Sequence, residues 1–377
     1  MSNENGFPVQ LLEGSIDQKT DYFRKYTVAH PSLKVAFTNL MNTIQNGGNT
    51  SIILVYGPSG VGKTTLFLNT MKKILEEEWS SLDQDPGRIP VAGMEALAPD
   101  NGSFDWKDFY IRALESLDEP LVHKKIDFDK KYRQPNSLGL KDDRNRHLRR
   151  ALENALLFRK PAAYMIDEAQ HLTKMASGKQ LRNQMDTIKS LASHSMVPHV
   201  LVGTYELLPF RNLSGQLSRR SSDIHFNRYR AEKPDEMKSF INTLWTFQKH
   251  LPLEKEPKLV DYYEYFYERS VGCIGILKDW IHRSYKAKIT EGPKTMVLDD
   301  FKPFAHSVDQ CLHMAREARE GELKLEDRIE QQEELSRLLG IHEVDHDEEA
   351  QPAVKKGRKV GQRKPKRDAV GEVRNVQ

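Results

Sequence analysis

The sequence predicts an α/β fold, a parallel-sheet core followed by a small all-helical lid and a disordered charged tail, and three observations predict it. Short apolar runs recur between segments of helical character, the pattern of strands buried on both faces of a parallel sheet. From Pro234 onward only helical periodicity remains, and beyond about Gly321 charge displaces apolar residues. The expected organisation is an N-terminal segment over 1–45, an α/β core over 46–230, a helical lid over 231–320 and a charged, largely disordered tail over 321–377.

Pro31 to Ile44 is amphipathic and stops at an Asn-Gly-Gly-Asn break, so a short helix is expected to lead into the first strand. That strand is Ser51 to Tyr56, followed by a Gly-rich turn and then by Thr64 to Glu78, where Leu66, Phe67, Met71, Ile74 and Leu75 recur at helical spacing. Further strands are expected at Ile89 to Met94, Ala162 to Ile166 and Pro198 to Gly203, with a last one in the segment IHFNRY from Ile224 to Tyr229. Helices are expected at Glu236 to His250, Leu259 to Arg269 and Gly275 to Lys288. In the tyrosine-rich run from Asp261, Tyr262, Tyr263, Phe266 and Tyr267 can share one helix face, so packing accounts for it.

Composition narrows the class. The chain has 377 residues, is 38% hydrophobic and carries a net charge of +3, enough apolar content for one substantial core and a smaller one. Its two cysteines, Cys273 and Cys311, lack the spacing of a zinc ribbon or a disulfide framework. No window has the length of apolar sequence a membrane span requires and the first residues do not form a signal peptide, so a cytoplasmic location is expected.

Gly57 to Thr65 reads GPSGVGKTT and matches GxxxxGK[ST], with an apolar strand before it and a helix after it. In such a loop Gly57, Pro58, Ser59, Gly60, Val61 and Gly62 curl the backbone so that its N–H groups face phosphate oxygens. Lys63 is expected on the β and γ phosphates of ATP and the Thr64 hydroxyl on Mg²⁺, while Thr65 either adds a hydrogen bond or starts the helix. Asp167 and Glu168 follow an apolar run and so end a strand at the edge where open parallel sheets bind ligands. Asp167 suits the magnesium shell and Glu168 a general base for the attacking water, although an acidic pair after a strand also serves as an ordinary helix cap. Thr204 ends another strand and either orients water near the γ phosphate or is only a turn residue. Arg219 and Arg220 are either surface charge or, between them, a finger reaching a neighbouring subunit's γ phosphate.

The phosphate loop, DEAQH, Gly-Thr and Arg-Arg in this order, with GCIGILKDW from Gly272 to Trp280 in the helical region, resemble the AAA+ ATPases. They are similar in particular to the transposon target-selector ATPases of the TnsC and TniB type, relatives of the phage MuB protein, over roughly Phe23 to Ile289. The resemblance implies an AAA+ P-loop core with a bacterial cytoplasmic location, Lys63 and Thr64 on nucleotide and magnesium, and Asp167 and Glu168 as the Walker B pair. It further implies Thr204 as first sensor, Arg219 or Arg220 as the trans-acting finger and Lys278 as a second sensor, where many such proteins carry arginine. It also implies a ring or helical filament of this chain on double-stranded DNA, which passes a target chosen by a selection factor to transposase subunits. Basic residues outnumber acidic ones between Lys124 and Arg150, and Lys124, Lys125, Lys130, Lys131, Arg146, Arg149 and Arg150 form either a phosphate-tracking surface or a solvated helix face. The basic tail from Lys355 to Arg367 either holds DNA or a partner, or only solubilises the chain. Three other functions fit some of these residues: a helicase, a helicase-loader or initiator-type ATPase, and an ATP-gated assembly switch without turnover. The helicase would need a second strand-containing domain, which the region after Ala231 does not suggest.

Overall fold

A computed structural model describes residues 6–48, 50–99, 104–124, 144–173, 179–211, 220–326 and 329–341. In chain order the helices and strands are α1 (Ile16–Lys25), α2 (Pro31–Asn46), β1 (Ile52–Tyr56), α3 (Lys63–Glu78), β2 (Ala92–Glu95), α4 (Trp106–Glu115) and α5 (Arg144–Arg159). There follow β3 (Tyr164–Asp167), α6 (Lys179–Ser195), β4 (His199–Gly203), α7 (Leu208–Arg211) and β5 (Ser221–His225). The remaining elements are all helical: α8 (Pro234–Lys249), α9 (Tyr263–Ser270), α10 (Ile274–Lys288), α11 (Leu298–Phe301), α12 (Val308–Leu323) and α13 (Ile329–Leu338).

The five strands form one sheet in the order β2-β3-β4-β1-β5, and every pairing is parallel. β1, β3 and β4 are buried along their whole length, which explains their unbroken apolar character. Leu33, Ala36 and Leu40 of α2 and Leu66 and Phe67 of α3 pack with Ile53, Val55, Met165, Val200 and Val202 on one face of the sheet. By strand alternation Ile52 and Leu54 point to the opposite face. α4, α5 and α6 pack against one another in succession.

Strand positions differ from the sequence expectation at both edges of the sheet. β5 begins at Ser221, so IHFNRY contributes only Ile224 and His225 to it. This edge strand is half-exposed over Ser221 to Asp223, and polar residues satisfy it where an apolar run would mark a central strand. β2 begins at Ala92, since Ile89 and the Pro90 carbonyl bond to Arg159 and Ala162 ahead of the ladder.

A second core lies among the helices after β5. Phe240, Leu244 and Phe247 of α8, Phe266 of α9 and Leu277, Trp280, Ile281 and Tyr285 of α10 are buried together with Phe301. The Trp280 indole donates to the Phe301 carbonyl at 2.8 Å, and the Tyr285 hydroxyl to the Pro252 carbonyl at 3.1 Å. Within the tyrosine run, Phe266 is fully buried and the Tyr267 hydroxyl donates to the Tyr229 carbonyl, whereas Tyr262 precedes the helix and is exposed. α1 was not expected and joins this second core: Phe23 is fully buried against Phe247 and Tyr285, and a Ser15–Gln18 capping box starts the helix.

The described residues up to Lys324 make one compact unit, and those from Leu325 a second. The charged stretch beyond Gly321 is more ordered than its composition predicts, because α12 runs to Leu323 and α13 occupies Ile329–Leu338. The basic tail lies outside the described residues. No described helix is long and apolar enough to cross a membrane.

Replacing Trp280 by Ala removes the centre of the second core and its indole hydrogen bond. The expected cost is about 3–5 kcal/mol of stability, read as an earlier chemical-denaturation midpoint for the helical region.

Candidate functional site

β1 ends at Tyr56, and the chain turns at once into the loop Gly57 to Gly62. The Gly57 N–H donates to the Gly203 carbonyl, and a β-carbon at Gly57 would lie 2.0 Å from the Phe226 carbonyl oxygen, so only glycine fits. Gly62, at φ +114°, precedes the first residue of α3 in a left-handed conformation that glycine adopts without strain. The first N–H groups of α3 therefore face the space above the sheet edge, where helix dipole and unpaired donors favour an anion.

Lys63 is buried and donates from Nζ to the carbonyls of Gly57 at 3.1 Å and Pro58 at 2.8 Å. Burial pushes its pKa down, while the neighbouring charges of Glu168 and Asp167 oppose that shift. Thr65 is half-buried in the first turn of α3.

Two strands away, Asp167 ends β3 with 5% exposure. Burial raises its pKa, against the lowering effects of the Glu168 N–H, which donates to Oδ1 at 2.9 Å, and of the nearby Thr64 hydroxyl. A hydroxyl and a carboxylate facing each other beside a phosphate cradle are the oxygen donors that Mg²⁺ takes. Glu168 stands in the left-handed region at φ +51°, ψ +31°, a conformation rare for a residue with a β-carbon and concentrated at functional sites. The residue turns the chain sharply out of β3, and its carboxylate is held by the Gln170 amide.

Thr204 follows β4, which lies between β1 and β3. Its hydroxyl accepts from the Glu206 N–H at 3.4 Å and so caps the following turn. Its backbone N–H donates to Gln170 Oε1 at 3.2 Å. Nothing in the sequence assigns Gln170 a role, and its only signal there is its closeness to the acidic pair.

The helical region reaches the same loop. The Ile276 N–H in the first turn of α10 donates to the Gly60 carbonyl at 3.1 Å. A β-carbon at Gly275 would lie 2.4 Å from that oxygen, and one at Gly60 would lie 2.4 Å from an Ile276 side-chain carbon. Lys278 is three residues further along the face that carries Gly275, half-buried, its pKa lowered by burial, with no side-chain partner among the described residues.

The remaining expected residues are spread more widely. Arg220 is exposed immediately before β5, and its carbonyl accepts from Ser51 and Ile52 at the sheet edge opposite the phosphate loop. Arg219 lies outside the described residues, as do Lys125, Lys130 and Lys131, and the Lys124 side chain is not described. Arg146 and Arg150 are exposed on α5, four residues apart and therefore on one face. Arg149 is committed elsewhere: its guanidinium donates to Glu153 at 3.0 Å and to the Ser190 hydroxyl at 2.7 Å, which ties α5 to α6.

Residues 45–210 match the family model described as AAA domain. Together with the parallel sheet and the helical region after it, this decides the fold. It is an AAA+ P-loop fold. No curated protein matches the chain. Among solved structures, a Walker-type ATPase of Pyrococcus abyssi is similar at 15% identity, covering 85% of this chain and 81% of that one, with a TM-score of 0.45. The Aeropyrum pernix ORC1 protein, solved in complex with DNA, is similar at 15% identity over 78% of this chain and 68% of its own, with a TM-score of 0.49. The ADP form of Aeropyrum pernix ORC2 gives 14% identity, 82% and 74% coverage and a TM-score of 0.45.

A Gly275→Ala change drives a methyl group into the loop carbonyl. If overpacking strain of about 1–3 kcal/mol falls on the nucleotide-bound form, ATP affinity drops by roughly 5- to 150-fold, measurable by fluorescent-nucleotide titration.

Proposed function

We propose that this AAA+ protein binds ATP with Mg²⁺, assembles into a ring or helical filament on double-stranded DNA, and hydrolyses ATP to reset that assembly. The observation that carries the reading is the convergence on one sheet edge of Lys63 and Thr64, at the start of α3, and the Asp167–Glu168 pair, at the end of β3.

The chemistry follows from those positions. Loop N–H groups and Lys63 hold the β and γ phosphates, Thr64 and Asp167 would hold the magnesium ion, and bound Mg²⁺ neutralises charge on the phosphate oxygens. Glu168, leaving β3 in a left-handed turn, accepts a proton from the water that attacks the γ phosphate. Lys278, on the helix whose first turn meets the loop and without a side-chain partner among the described residues, would supply a further positive charge toward the nucleotide. Thr204 contributes through its backbone more than through its hydroxyl, which is occupied as a cap.

Arg220 supports an assembled state. Five residue steps along β5, about 16 Å of extended chain, lead from it to His225, the partner of Tyr56 beside the phosphate loop. A γ phosphate touched by Arg220 would therefore belong to a neighbouring copy, and the adjoining Arg219 is the other candidate finger. The DNA surface would include Arg146 and Arg150 with Lys124, Lys125, Lys130 and Lys131, contacting backbone phosphates without reading bases.

The particular role proposed is target selection in transposition, in which the DNA-bound assembly is handed to transposase subunits. It rests on the resemblance of DEAQH and the Gly272 to Trp280 segment to the TnsC and TniB type. A helicase-loader or initiator would use the same ATP-site residues, and co-assembly assays with a transposase or a replicative helicase separate the two.

Lys63→Ala should abolish nucleotide-dependent DNA binding, whereas Glu168→Gln should still assemble on DNA with ATP but lose turnover by about 10²- to 10⁴-fold and fail to disassemble. Nucleotide uptake unchanged by Lys63→Ala in an equilibrium titration would sink the reading. Duplex affinity should fall on the order of 100-fold between about 50 and about 200 mM salt for about four phosphate contacts, and a flat salt response in fluorescence anisotropy would remove the backbone-contact model.

A further inference from the structure

Gln170 is buried to 6% exposure in the turn after Glu168, and all of its amide hydrogen-bonding is directed to two functional positions. Its Nε2 donates to Oε2 of Glu168, and its Oε1 accepts the Thr204 N–H at 3.2 Å. The orientation of the amide is not interchangeable. A backbone N–H can only donate and an ionised carboxylate can only accept, so oxygen must face Thr204 and nitrogen must face Glu168.

The surroundings leave room for this side chain and for little else. A β-carbon on Gly203, the last residue of β4, would lie 2.4 Å from Gln170 Oε1 and 3.1 Å from its backbone nitrogen. The Gln170 carbonyl is itself bonded, accepting from the N–H and hydroxyl of Thr173 at 2.9 and 2.7 Å. The amide therefore lies across the end of β4, on a fixed turn, and joins the residue after β3 to the residue after β4.

We propose that Gln170 is the positioning residue of the catalytic carboxylate. By holding Oε2 of Glu168 it leaves Oε1 as the oxygen that accepts the proton of the attacking water, and it ties that oxygen's position to the end of β4. The proposal rests on the reading of Glu168 as the base. A base whose second oxygen is fixed by a donor has its free oxygen aimed, the same relation by which a third group orients the base in other hydrolytic sites. Because the amide's other end is anchored on the Thr204 N–H, any shift of the β4 end as the γ phosphate arrives moves the base with it.

Two substitutions test this in steady-state ATPase assays on the full chain. Gln170→Met preserves length and apolar volume and removes both hydrogen bonds. It should lower kcat by about 10- to 100-fold, a part of the 10²- to 10⁴-fold that general-base catalysis supplies, with KM for ATP within about twofold of the parent. Gln170→Glu keeps the acceptor for Thr204 but donates to Glu168 only while the new carboxyl holds a proton. Its kcat relative to the parent should therefore fall as pH rises from about 6 to about 9, as expected of two carboxyls sharing one proton. A residue needed only for folding would give a ratio that does not vary with pH. Gln170→Met with the parent's kcat, or a Gln170→Glu ratio flat across that range, overturns the proposal. Glu168→Gln measured alongside keeps the two questions apart. If it turns over ATP at the parent's rate, the reading of Glu168 itself is wrong and this proposal falls with it; if it is inactive while Gln170→Met is unimpaired, only the role of Gln170 is refuted.

Discussion

The parallel pairing of β1 with β4, and of β4 with β3, is the constraint on which the site depends. Tyr56 pairs with Gly203 and Ile166 with Leu201, so the phosphate loop, Thr204 and the Asp167–Glu168 pair all leave the sheet at one edge. Parallel strands deliver their C-terminal ends together, and residues far apart in sequence come within reach without any long loop folding back. β1, β3 and β4 are buried on both faces, so the register is held by close packing: slipping a strand would press side chains of different size into sites that neighbouring elements already fill.

The same edge makes the site electrostatically demanding. Lys63 and Asp167 are both buried, and desolvation opposes the charge of each, lowering the pKa of the lysine and raising that of the carboxyl. Each lies in the other's field, which recovers part of that cost. On the proposed function, a triphosphate with its divalent cation would bring negative charge to the lysine and positive charge to the carboxylate, so both desolvated groups would gain a partner from one ligand.

How much of this was legible in the sequence follows from where the partners lie. Gly57 to Thr65 could be read because the residues of that loop act through local backbone shape, and Asp167 and Glu168 because an apolar run precedes them. The start of β5 could not, since an edge strand does not need an apolar run, and the strand in fact begins at the residue after Arg220. α1 buries only Thr20 and Phe23, and its Tyr22 and the following Tyr26 meet His250 across more than two hundred residues, so periodicity had little to detect. Gln170 was invisible for a related reason: its acceptor bond spans 34 residues, and a lone amide has no spacing signature. Arg149 carried the right charge in a basic run, but a carboxylate one turn away and a serine on α6 claim it.

The lid adds a coupling that no single motif would suggest. The phosphate loop is pressed on one side by the Phe226 carbonyl, which leaves no room for a β-carbon on Gly57, and on the other by α10, where the Gly60 carbonyl leaves no room for a β-carbon on Gly275. Backbone contacts of this closeness cannot absorb motion by changing a rotamer, so a displacement on either side moves the loop itself. The segment that Phe226 opens is tied to the helical region: the Tyr229 N–H donates to the Gly272 carbonyl just ahead of α10, and Arg228 makes a two-pronged ion pair with buried Glu322 on α12. Removing either partner of that pair would leave a buried charge uncompensated, a cost that keeps α12 seated. Direct contacts therefore run from α12 through the strand exit to the loop.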